Sequence, residues 1–432
     1  VAFPPASAAP CSSAAALPGF APEDGARAFA ASSTLELLLA LGLLELCRQR
    51  PLANLGSRIL IASCAAGAGP AGAALRWLAR HTAFQHFCGG EGLEDCVATA
   101  RRLAAAGSVR CIVDWSAEER EDEGAWDANA LRKAETLRLS AAALGPSAAF
   151  VPVKLTALVS PSLLERLTLA RAAGKPSGTG AVAGCLPSAG EQDVALLSQA
   201  LARLKRLCSV ARDCGVPLLL DAEQSGRQPA VHLIARELQR EFNRGDAVVV
   251  YDTIQMYLRA APEHLEEALA DARERGYACA VKLVRGAYIE QEMPLGMVHT
   301  SKADTDAAYD AAAARLLAEV AAGEGRAAAL LATHNRESIR RAVAEMARLG
   351  LAREHQRVHF AQILGMVDNL TNALGLAGYN AAKLVVFGQM REVLPWLLRR
   401  VAENRDAFGA QAAELPVLRG ELRRRLLGRG GG

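Results

Sequence analysis

Eight short runs of apolar, β-favouring residues recur along this chain, and each is separated from the next by a longer segment with helical periodicity. In the longer segments apolar residues return every three or four positions, which is typical of amphipathic helices. Eight strand patterns alternating with helix patterns over about 300 residues predict an α/β fold, a closed (β/α)8 barrel of the TIM type rather than an open sheet. The runs are Val109–Trp115, Ala149–Leu158, Val216–Glu223, Ala247–Gln255, Ala278–Tyr288, Ala328–Asn335, Val358–Leu364 and Ala381–Gly388.

The connections between the runs follow the same rhythm, with one weak member and one insertion. The seventh connection, Gly365–Tyr379, is only weakly helical, and Ser177–Gly190 is a Gly/Ser loop. The G-x-G pattern in that loop follows a helix instead of a strand, so it does not predict a phosphate site, and we expect an exposed insertion. The helical segments are Ala128–Leu144, Glu191–Cys214, Pro229–Phe242, Pro262–Arg275, Thr305–Ala322 and Arg336–Leu349.

The regions outside the barrel pattern differ from it in composition. The first 33 residues are rich in Ala, Ser and Pro and contain a single arginine, Arg27, so they look like a truncated or processed start but do not match an Arg-rich transit peptide. The apolar run Leu35–Cys47 contains two glutamates and is too short to cross a bilayer, so it predicts a packing helix. We therefore expect a disordered segment at 1–33, an N-terminal helical arm at 34–107, the barrel at 108–408 and a C-terminal helical tail at 409–432.

Composition excludes several classes of function. The 49 Lys and Arg residues nearly balance the 46 Asp and Glu residues, so no strong field would attract nucleic acid. The ten cysteines form no C-x-x-C pair and have no companion histidine spacing, which argues against zinc or iron–sulfur ligation. We expect most of them to be small core residues in a reducing compartment, and we predict no metal site.

Polar residues cluster where the predicted strands end. Catalytic groups of (β/α)8 barrels come from the carboxyl ends of the strands, and charges in apolar strands are costly unless they are paired or bind a ligand. Any one of these residues alone is more often structural, but their coincidence at successive strand ends predicts a site. They are Lys154, Asp221, Glu223, Gln255, Lys282, Arg285, Thr333, His334 and Asn335.

Two adjacent arginines, Arg399 and Arg400, interrupt an apolar helical pattern after the eighth run. A guanidinium keeps its charge at physiological pH and offers a planar fork of donors, so a half-buried pair is typical of an anion site. The alternative is that both side chains extend to solvent beside Glu403. A second alternative concerns Lys154, which could form a Schiff base as in barrel lyases, although this leaves the other strand-end residues unexplained.

At these residues the chain resembles the proline dehydrogenase family, which consists of flavin-dependent (β/α)8 enzymes. The resemblance runs from about Ser33 to Phe408 and rests on six blocks in the order of the family: KLTAL at Lys154, LLLDAEQ at Asp221, KLVRGAY from Lys282, ATHN from Ala332, FAQILGM from Phe360 and LLRR ending at Arg400. It implies oxidation of L-proline to 1-pyrroline-5-carboxylate in proline catabolism, with FAD as cofactor and a quinone as electron acceptor. It also implies a mitochondrial location, on the matrix side of the inner membrane, with possible peripheral association with that membrane.

The same resemblance implies roles for individual residues around the cofactor. Lys282 would stabilise the reduced flavin, Gly286 would let the backbone approach it, and Arg285 would neutralise the pyrophosphate. Lys302 and Thr305 would contact the adenosine end. The residues implied to line FAD are Gln255, Lys282, Val284, Arg285, Gly286, Ala287, Thr333, His334 and Asn335.

For the substrate, the resemblance implies that Lys154, Arg399 and Arg400 bind the carboxylate. Hydride would then leave the ring carbon next to nitrogen without a covalent catalyst. Glu118 would pair with Arg399 and close the site, or it is a plain surface glutamate in an acidic run. The residues implied to shape the pocket beside the ring are Asp221, Leu283, Tyr288 and Ile363.

Two residues depart from the family pattern. Proline dehydrogenases have Tyr at the positions of Leu384 and Trp396, and hydroxyproline-preferring relatives have Ser at the first of these. Trp396 retains an aromatic face for the ring, while Leu384 replaces a hydrogen-bonding wall by an apolar one. Oxidation of trans-4-hydroxy-L-proline, or a catalytically degenerate barrel with a regulatory role, therefore remain alternatives to proline oxidation.

Overall fold

The barrel expected from the eight runs is present. The computed structural model describes residues 19–64, 69–115, 119, 121–173, 190–323, 325–406 and 409–428. Eight parallel strands follow one another around a closed barrel in chain order, and β8 pairs with β1 to complete it. The strands are β1 (Arg110–Trp115), β2 (Ala148–Val153), β3 (Leu218–Leu220), β4 (Val250–Gln255), β5 (Cys279–Val284), β6 (Ala327–Ala332), β7 (Val358–Ile363) and β8 (Ala381–Phe387).

Small and large apolar side chains fill the barrel interior. Phe150 and Tyr251 meet edge to face at a centroid distance of 5.2 Å, and alanines on β5 to β8 leave room for them. The other side of each strand packs against the outer helices, so the wall of the barrel is buried on both faces. Five of the eight cysteines within the described residues are buried, as the sequence predicts: Cys88, Cys96, Cys111, Cys208 and Cys279.

The helices agree with the sequence pattern and extend it. The weakly helical seventh connection contains a nine-residue helix, α15. Most of the Gly/Ser loop predicted as an exposed insertion lies outside the described residues. The helices are α1 (Gly25–Ala28), α2 (Thr34–Arg48), α3 (Arg50–Ser63), α4 (Gly69–Ala79), α5 (Gln85–Phe87), α6 (Leu93–Gly107), α7 (Glu123–Leu144), α8 (Pro161–Ala173), α9 (Glu191–Cys214), α10 (Gln228–Phe242), α11 (Ala261–Arg275), α12 (Ile289–Glu292), α13 (Lys302–Ala321), α14 (Arg336–Arg348), α15 (Asp368–Leu376), α16 (Met390–Asp406) and α17 (Gly409–Leu427).

The segment before α2 is ordered from residue 19, which corrects the expectation of disorder for that part of 1–33. Phe20 and Phe29 are 7% and 2% exposed. The Asn372 side chain on α15 donates to the carbonyl of Ala28 at 2.9 Å, and Arg425 on α17 donates to the carbonyl of Phe29 at 2.7 Å. Contacts from the other end of the chain therefore fix this segment, and its composition alone does not reveal them.

The N-terminal helices pack beside the carboxyl ends of the strands, together with the end of the chain. Helix α2 begins with a capping box in which Ser33 and Glu36 satisfy each other's backbone N–H groups, and its buried side packs against α17. Among the helices of the described residues, none combines the length and the apolar composition needed to span a bilayer. The arm and the tail thus add to the wall of the barrel mouth, the opening at the carboxyl ends of the strands.

Candidate active site

The strand-end residues of β3 and β5 form an ion pair at the mouth. Asp221 directly follows β3, and its Oδ1 accepts a hydrogen bond from Nζ of Lys282 at 2.5 Å. The lysine side chain is 14% exposed and the aspartate side chain is 36% exposed, so the pair is accessible from the mouth. A polar pair at this depth matches the expected position of a (β/α)8 active site.

Strand alternation separates Lys282 from its neighbour Leu283. Successive side chains of a strand point to opposite faces, and Lys282 points into the barrel. Leu283 is fully buried in the core between the barrel and the outer helices, together with Val281 and Cys279. This placement contradicts the prediction that Leu283 lines the substrate pocket.

Lys154 is a half-buried cation at the end of β2. Within the described ranges it forms no ion pair or hydrogen bond through its side chain, unlike Lys282. The charge of a half-buried lysine needs a counter-charge or water, so the residue is suited to receive an anionic group from a ligand. Sequence reasoning identified this lysine, and the structure places it at the mouth.

Behind these lysines lies Glu223, which the sequence showed only as one of several polar residues at strand ends. Its carboxyl accepts a hydrogen bond from Oγ1 of Thr156 at 2.8 Å, and its carbonyl accepts one from Nε2 of Gln255 at 2.9 Å. Gln255 is 3% exposed, so its amide is held by the protein. The predicted cofactor residue Gln255 is therefore fixed in place through the loop after β3.

On the β5 and β6 side, all three nitrogens of the Arg285 guanidinium donate to protein groups. It donates to Asp306 at 2.6 Å, to Oγ1 of Thr333 at 2.6 Å and to Oγ of Ser338 at 2.5 Å. It also lies 4.1 Å above the centroid of the Tyr309 ring. These contacts leave a second N–H on each terminal nitrogen to which an anion could bind, and the sequence interpretation did not foresee them.

Asp306 joins Arg285 to the beginning of α13. Lys302 donates to its Oδ2 at 2.5 Å, and the Lys302 side chain is 62% exposed. Burial alone would raise the pKa of Asp306, but the hydrogen bonds from Lys302 and Arg285 hold it below its usual value. Thr305 is buried and donates to the carbonyl of Ser301 at 3.3 Å. Lys302 thus lies at the open edge of the site, whereas the Thr305 hydroxyl is occupied.

The three residues after β6 have structural partners. Oγ1 of Thr333 also accepts from the backbone N–H of Asn335 at 3.0 Å. Nε2 of His334 accepts from the backbone N–H of Ile363 at 3.0 Å, which joins β6 to β7. Asn335 caps α14 by accepting from the N–H groups of Glu337 and Ser338. Their contact with a cofactor remains a prediction.

Gly286 is required by a neighbouring ring. Its φ of 110° is open to glycine, and a Cβ at this position would lie 1.7 Å from the Tyr257 ring. The Tyr257 hydroxyl donates to Glu292, so the ring cannot easily move away. The structure thus gives this glycine a packing reason, where the sequence suggested close approach to a cofactor. Nearby, the N–H of Ala287 donates to Gln255 at 3.4 Å, and the carbonyl of Val284 accepts from Met256 at 2.8 Å.

An apolar wall faces these polar groups across the mouth. Ile363 and Leu384 are register partners on β7 and β8, and Trp396 on α16 belongs to the same cluster. All three are partly buried, so each keeps a surface that a ligand can contact. The structure therefore brings together Ile363, Leu384 and Trp396, three of the residues predicted to lie beside the substrate ring.

The remaining predicted residues are placed less completely. Arg400 is half-buried on α16, and Tyr288 is half-buried at the start of α12. The side chain of Arg399 and the whole of Glu118 lie outside the described residues. The proposed pairing between Glu118 and Arg399 thus stays a prediction.

Sequence reasoning missed a largely buried charge network beneath the apolar wall, formed by Lys383, Asp368 and Glu414. Lys383 on β8 is 0% exposed; it pairs with Asp368 at 2.7 Å and donates to the carbonyl of Met366 at 2.5 Å. Glu414 on α17 accepts from the N–H groups of Val367 and Asp368 at 2.7 Å each. Burial and the nearby Asp368 raise the pKa of Glu414 to about 7. The only sequence signal was a lysine inside the apolar run Ala381–Gly388.

Comparison with known proteins agrees with this architecture. The family model described as "Proline dehydrogenase" matches residues 96–411. The chain is 30% identical over 434 residues to "Proline dehydrogenase 1, mitochondrial" from Arabidopsis thaliana, which covers 94% of this chain and 86% of that protein. It is 32% identical over 441 residues to "Hydroxyproline dehydrogenase" from Rattus norvegicus, which covers 93% of this chain and 94% of that protein.

Solved structures show the same fold. A crystal structure of proline utilization A from Bdellovibrio bacteriovorus, inactivated by N-propargylglycine, superimposes with a TM-score of 0.67 at 19% identity. The match covers 88% of this chain but only 41% of that one, so the chain spans less than half the length of this solved protein. From the family model, the full-length relatives and the barrel, we conclude that the chain belongs to the proline dehydrogenase family.

Proposed function

We propose that the protein is an FAD-dependent proline dehydrogenase that oxidises L-proline to 1-pyrroline-5-carboxylate and passes electrons to a quinone. The observation that carries the proposal is Lys154, a half-buried cation at the barrel mouth with no ion-pair partner among the described residues. Lys154 lies beside the accessible Lys282–Asp221 pair. The buried carboxyl of Glu223 lies behind Lys154. A small zwitterion with one carboxylate suits this arrangement.

The residues at the β4 to β6 ends suit a flavin. Lys282, Arg285 and Lys302 carry positive charge along this side, and each already has a carboxylate partner, so an anionic cofactor would enter a balanced polar surface. Together with Gln255 and Thr333 they would hold the group, which supplies the hydride acceptor when bound. Lys282 would stabilise the negative charge of its reduced form.

The substrate would be oriented by charge on one side and by packing on the other. Lys154, Arg399 and Arg400 would bind the carboxylate, and charge-assisted hydrogen bonds of this type are directional. Ile363, Leu384 and Trp396 would contact the ring and exclude water from it. Orientation of this kind is sufficient for hydride transfer because no covalent intermediate is needed.

The apolar wall favours proline over its 4-hydroxy derivative. Neither Leu384 nor Trp396 offers a hydroxyl to a substrate hydroxyl, and a buried hydroxyl without a partner costs about 1–3 kcal/mol. Relatives of both types resemble the chain over nearly its whole length, so the wall and not the similarity supports this choice.

For its cellular setting, we propose the matrix side of the mitochondrial inner membrane, with peripheral attachment. The Arabidopsis relatives carry "mitochondrial" in their names. On α3, Leu52, Leu55 and Ile59 recur at three- and four-residue spacing and are 45%, 55% and 48% exposed, which suits contact with a lipid surface. Recovery of the protein in the membrane pellet, released by alkaline carbonate, is expected; a wholly supernatant protein would contradict attachment.

The activity is tested by anaerobic titration of the purified protein. A yellow protein whose flavin absorbance is bleached by L-proline, and much less by trans-4-hydroxy-L-proline, is the expected result. Stronger bleaching by the hydroxylated substrate would favour hydroxyproline oxidation instead. Folded, colourless protein that FAD does not reconstitute would overturn the flavoenzyme proposal and favour a regulatory barrel.

A further inference from the structure

Glu223 joins the ends of three strands behind the mouth. Its carboxyl oxygen Oε1 accepts from Oγ1 of Thr156, in the turn that follows β2. Its backbone N–H donates to Gln228 at 2.6 Å, and its carbonyl accepts from the side chain of Gln255, the last residue of β4. A substitution at this residue would therefore disturb its contacts with both neighbouring strands, β2 and β4.

The second carboxyl oxygen of Glu223 lacks a hydrogen-bond partner among the described residues. Oε2 is buried, and the whole residue is 0% exposed. Burial of a carboxylate without a full set of partners is costly, so such an oxygen indicates a constraint other than packing. Two buried uncharged neighbours, Gln228 and Gln255, are already engaged through the Glu223 backbone and do not reach this oxygen.

Lys154 is the strongest charge that acts on Glu223. Desolvation raises the pKa of Glu223, whereas Lys154 lowers it and Asp221 raises it. Asp221 in turn is paired with Lys282, so its effect on Glu223 is partly cancelled. Thr156, which holds Oε1, is only two residues after Lys154. The glutamate thus acts on the lysine in two ways, through charge and through the turn that carries it.

We propose that Glu223 is a positioning residue for Lys154, which fixes the turn after β2 and balances the lysine charge until a substrate carboxylate arrives. The inference rests on the proposed function, in which Lys154 binds that carboxylate. It assigns a role to a buried group that does not itself contact the substrate.

A thermodynamic consequence follows. When a carboxylate binds Lys154, Glu223 loses its counter-charge and gains a nearby negative charge, so its protonated form becomes favoured. Ligand binding is then coupled to the uptake of up to one proton from solvent, which Glu223 binds. By linkage the affinity for a carboxylate rises as the pH falls through the window between the two pKa values of Glu223, without and with ligand.

The test is calorimetric titration of the flavin-loaded protein with cyclopentanecarboxylate, which has the ring and the carboxylate but no amine to oxidise. Titrations in buffers with different ionisation enthalpies give the number of protons taken up per ligand. The wild-type protein is expected to take up a fraction of a proton that changes with pH, and Glu223→Gln to take up none. Glu263→Gln, an exposed glutamate on α11, is the matched control and should behave as wild type.

Further variants separate the possible failures. If Lys154→Met does not weaken binding of cyclopentanecarboxylate, the proposed carboxylate site fails. If Lys154→Met weakens binding but Glu223→Gln keeps the proton uptake, the inference about Glu223 fails and the site stands.

A milder variant guards against loss of folding in Glu223→Gln. Thr156→Val removes the hydroxyl donor and leaves the carboxyl in place. Since that hydrogen bond favours the ionised form, the proton-uptake profile should move to higher pH. An unchanged profile in this variant contradicts the inference. The KM for proline should also rise by about tenfold in Glu223→Ala and less in Glu223→Gln, which keeps an acceptor for Thr156.

Discussion

Two lysines lie within apolar strands of this barrel, and they differ in how deeply they are buried and in how many groups surround them. Lys282 on β5 is 14% exposed and pairs with Asp221, which is itself 36% exposed. Lys383 on β8 is 0% exposed, and Asp368 and the carbonyls of Ile363 and Met366 surround it. The two lysines therefore differ in their own exposure and in the number of groups that surround them, whereas their aspartates, 36% and 32% exposed, are alike. The first lysine belongs to an open site, and the second stabilises the wall beside it.

The largest effect is expected on the free energy of unfolding when each of the two lysines is replaced by methionine. Lys383→Met removes a fully buried cation from Asp368 and from the buried Glu414, and loss of one partner of a buried pair costs about 3–5 kcal/mol. Lys282→Met leaves a single partner, Asp221, which is 36% exposed and can be hydrated, so the free energy of unfolding should fall by less than in Lys383→Met, while turnover should be impaired. Denaturant unfolding of both variants measures this difference. Equal losses of stability would show that the two lysines do not differ as described.

Substitution of a residue proposed to bind the substrate should lower catalytic efficiency and leave the free energy of unfolding nearly unchanged. Arg400→Met would remove the charged hydrogen bond that we propose Arg400 donates to the substrate, so kcat/KM for proline should fall at least tenfold, which corresponds to ~1.5–3 kcal/mol. The flavin spectrum of the variant should be retained. Arg391→Met, an exposed arginine on the same helix, is the control. Loss of folding in the Arg400 variant would support a structural role for this arginine.

In the network of Lys383, Asp368 and Glu414, the titration of Glu414 should make the free energy of unfolding depend on pH. Its pKa of about 7 exceeds the ordinary 4.5, so between these values the folded protein binds more protons than the unfolded chain. The free energy of unfolding contributed by this group therefore decreases as the pH rises from 4.5 through about 7. His86, whose pKa burial lowers, has the opposite slope below 6.5, so only a comparison of variants isolates Glu414.

Denaturant unfolding at several pH values makes that comparison. Glu414→Gln has no proton to bind or release, so the decline assigned to Glu414 should disappear from its stability curve. Parallel curves for the wild type and the variant across pH 4.5 to 7 would contradict the raised pKa.

The smallest effect concerns substrate choice at the apolar wall. Leu384→Ser places a hydroxyl beside the ring, and we expect kcat/KM for trans-4-hydroxy-L-proline relative to L-proline to increase by roughly ten-fold. Leu131→Ser, at a leucine that is 72% exposed on α7, provides the control. An unchanged ratio in Leu384→Ser would mean that this wall does not contact the position of the substrate hydroxyl.

Periodicity predicted the barrel well because each strand and helix carries its own local pattern. The predicted strand ends are less accurate. The fifth predicted run extends to Tyr288, whereas β5 ends at Val284. The loop Arg285–Tyr288 was included in the run although its φ at Gly286 is incompatible with a strand. The local sequence pattern predicts that a strand or helix is present, but tertiary contacts determine the residue at which it ends.

The site was predicted as a set of residues but not as a set of contacts. Asp221 and Lys282 are 61 positions apart, and their hydrogen bond depends on the register of the closed barrel. Leu283 was misplaced because alternation along β5 was not applied to it. The order of residues 19–33 depends on side chains from α15 and α17. Partners so far apart in the sequence cannot be inferred from composition or from the spacing of residues.

The central claim is that Lys154 at the barrel mouth binds the carboxylate of proline beside a flavin. Anaerobic titration of the flavin absorbance with L-proline, in the wild-type protein and in Lys154→Met, tests it most directly. We predict that the wild-type flavin is bleached and that the variant, equally yellow, requires at least ~10-fold more proline for half-bleaching. Identical titration curves for the two proteins would contradict the claim.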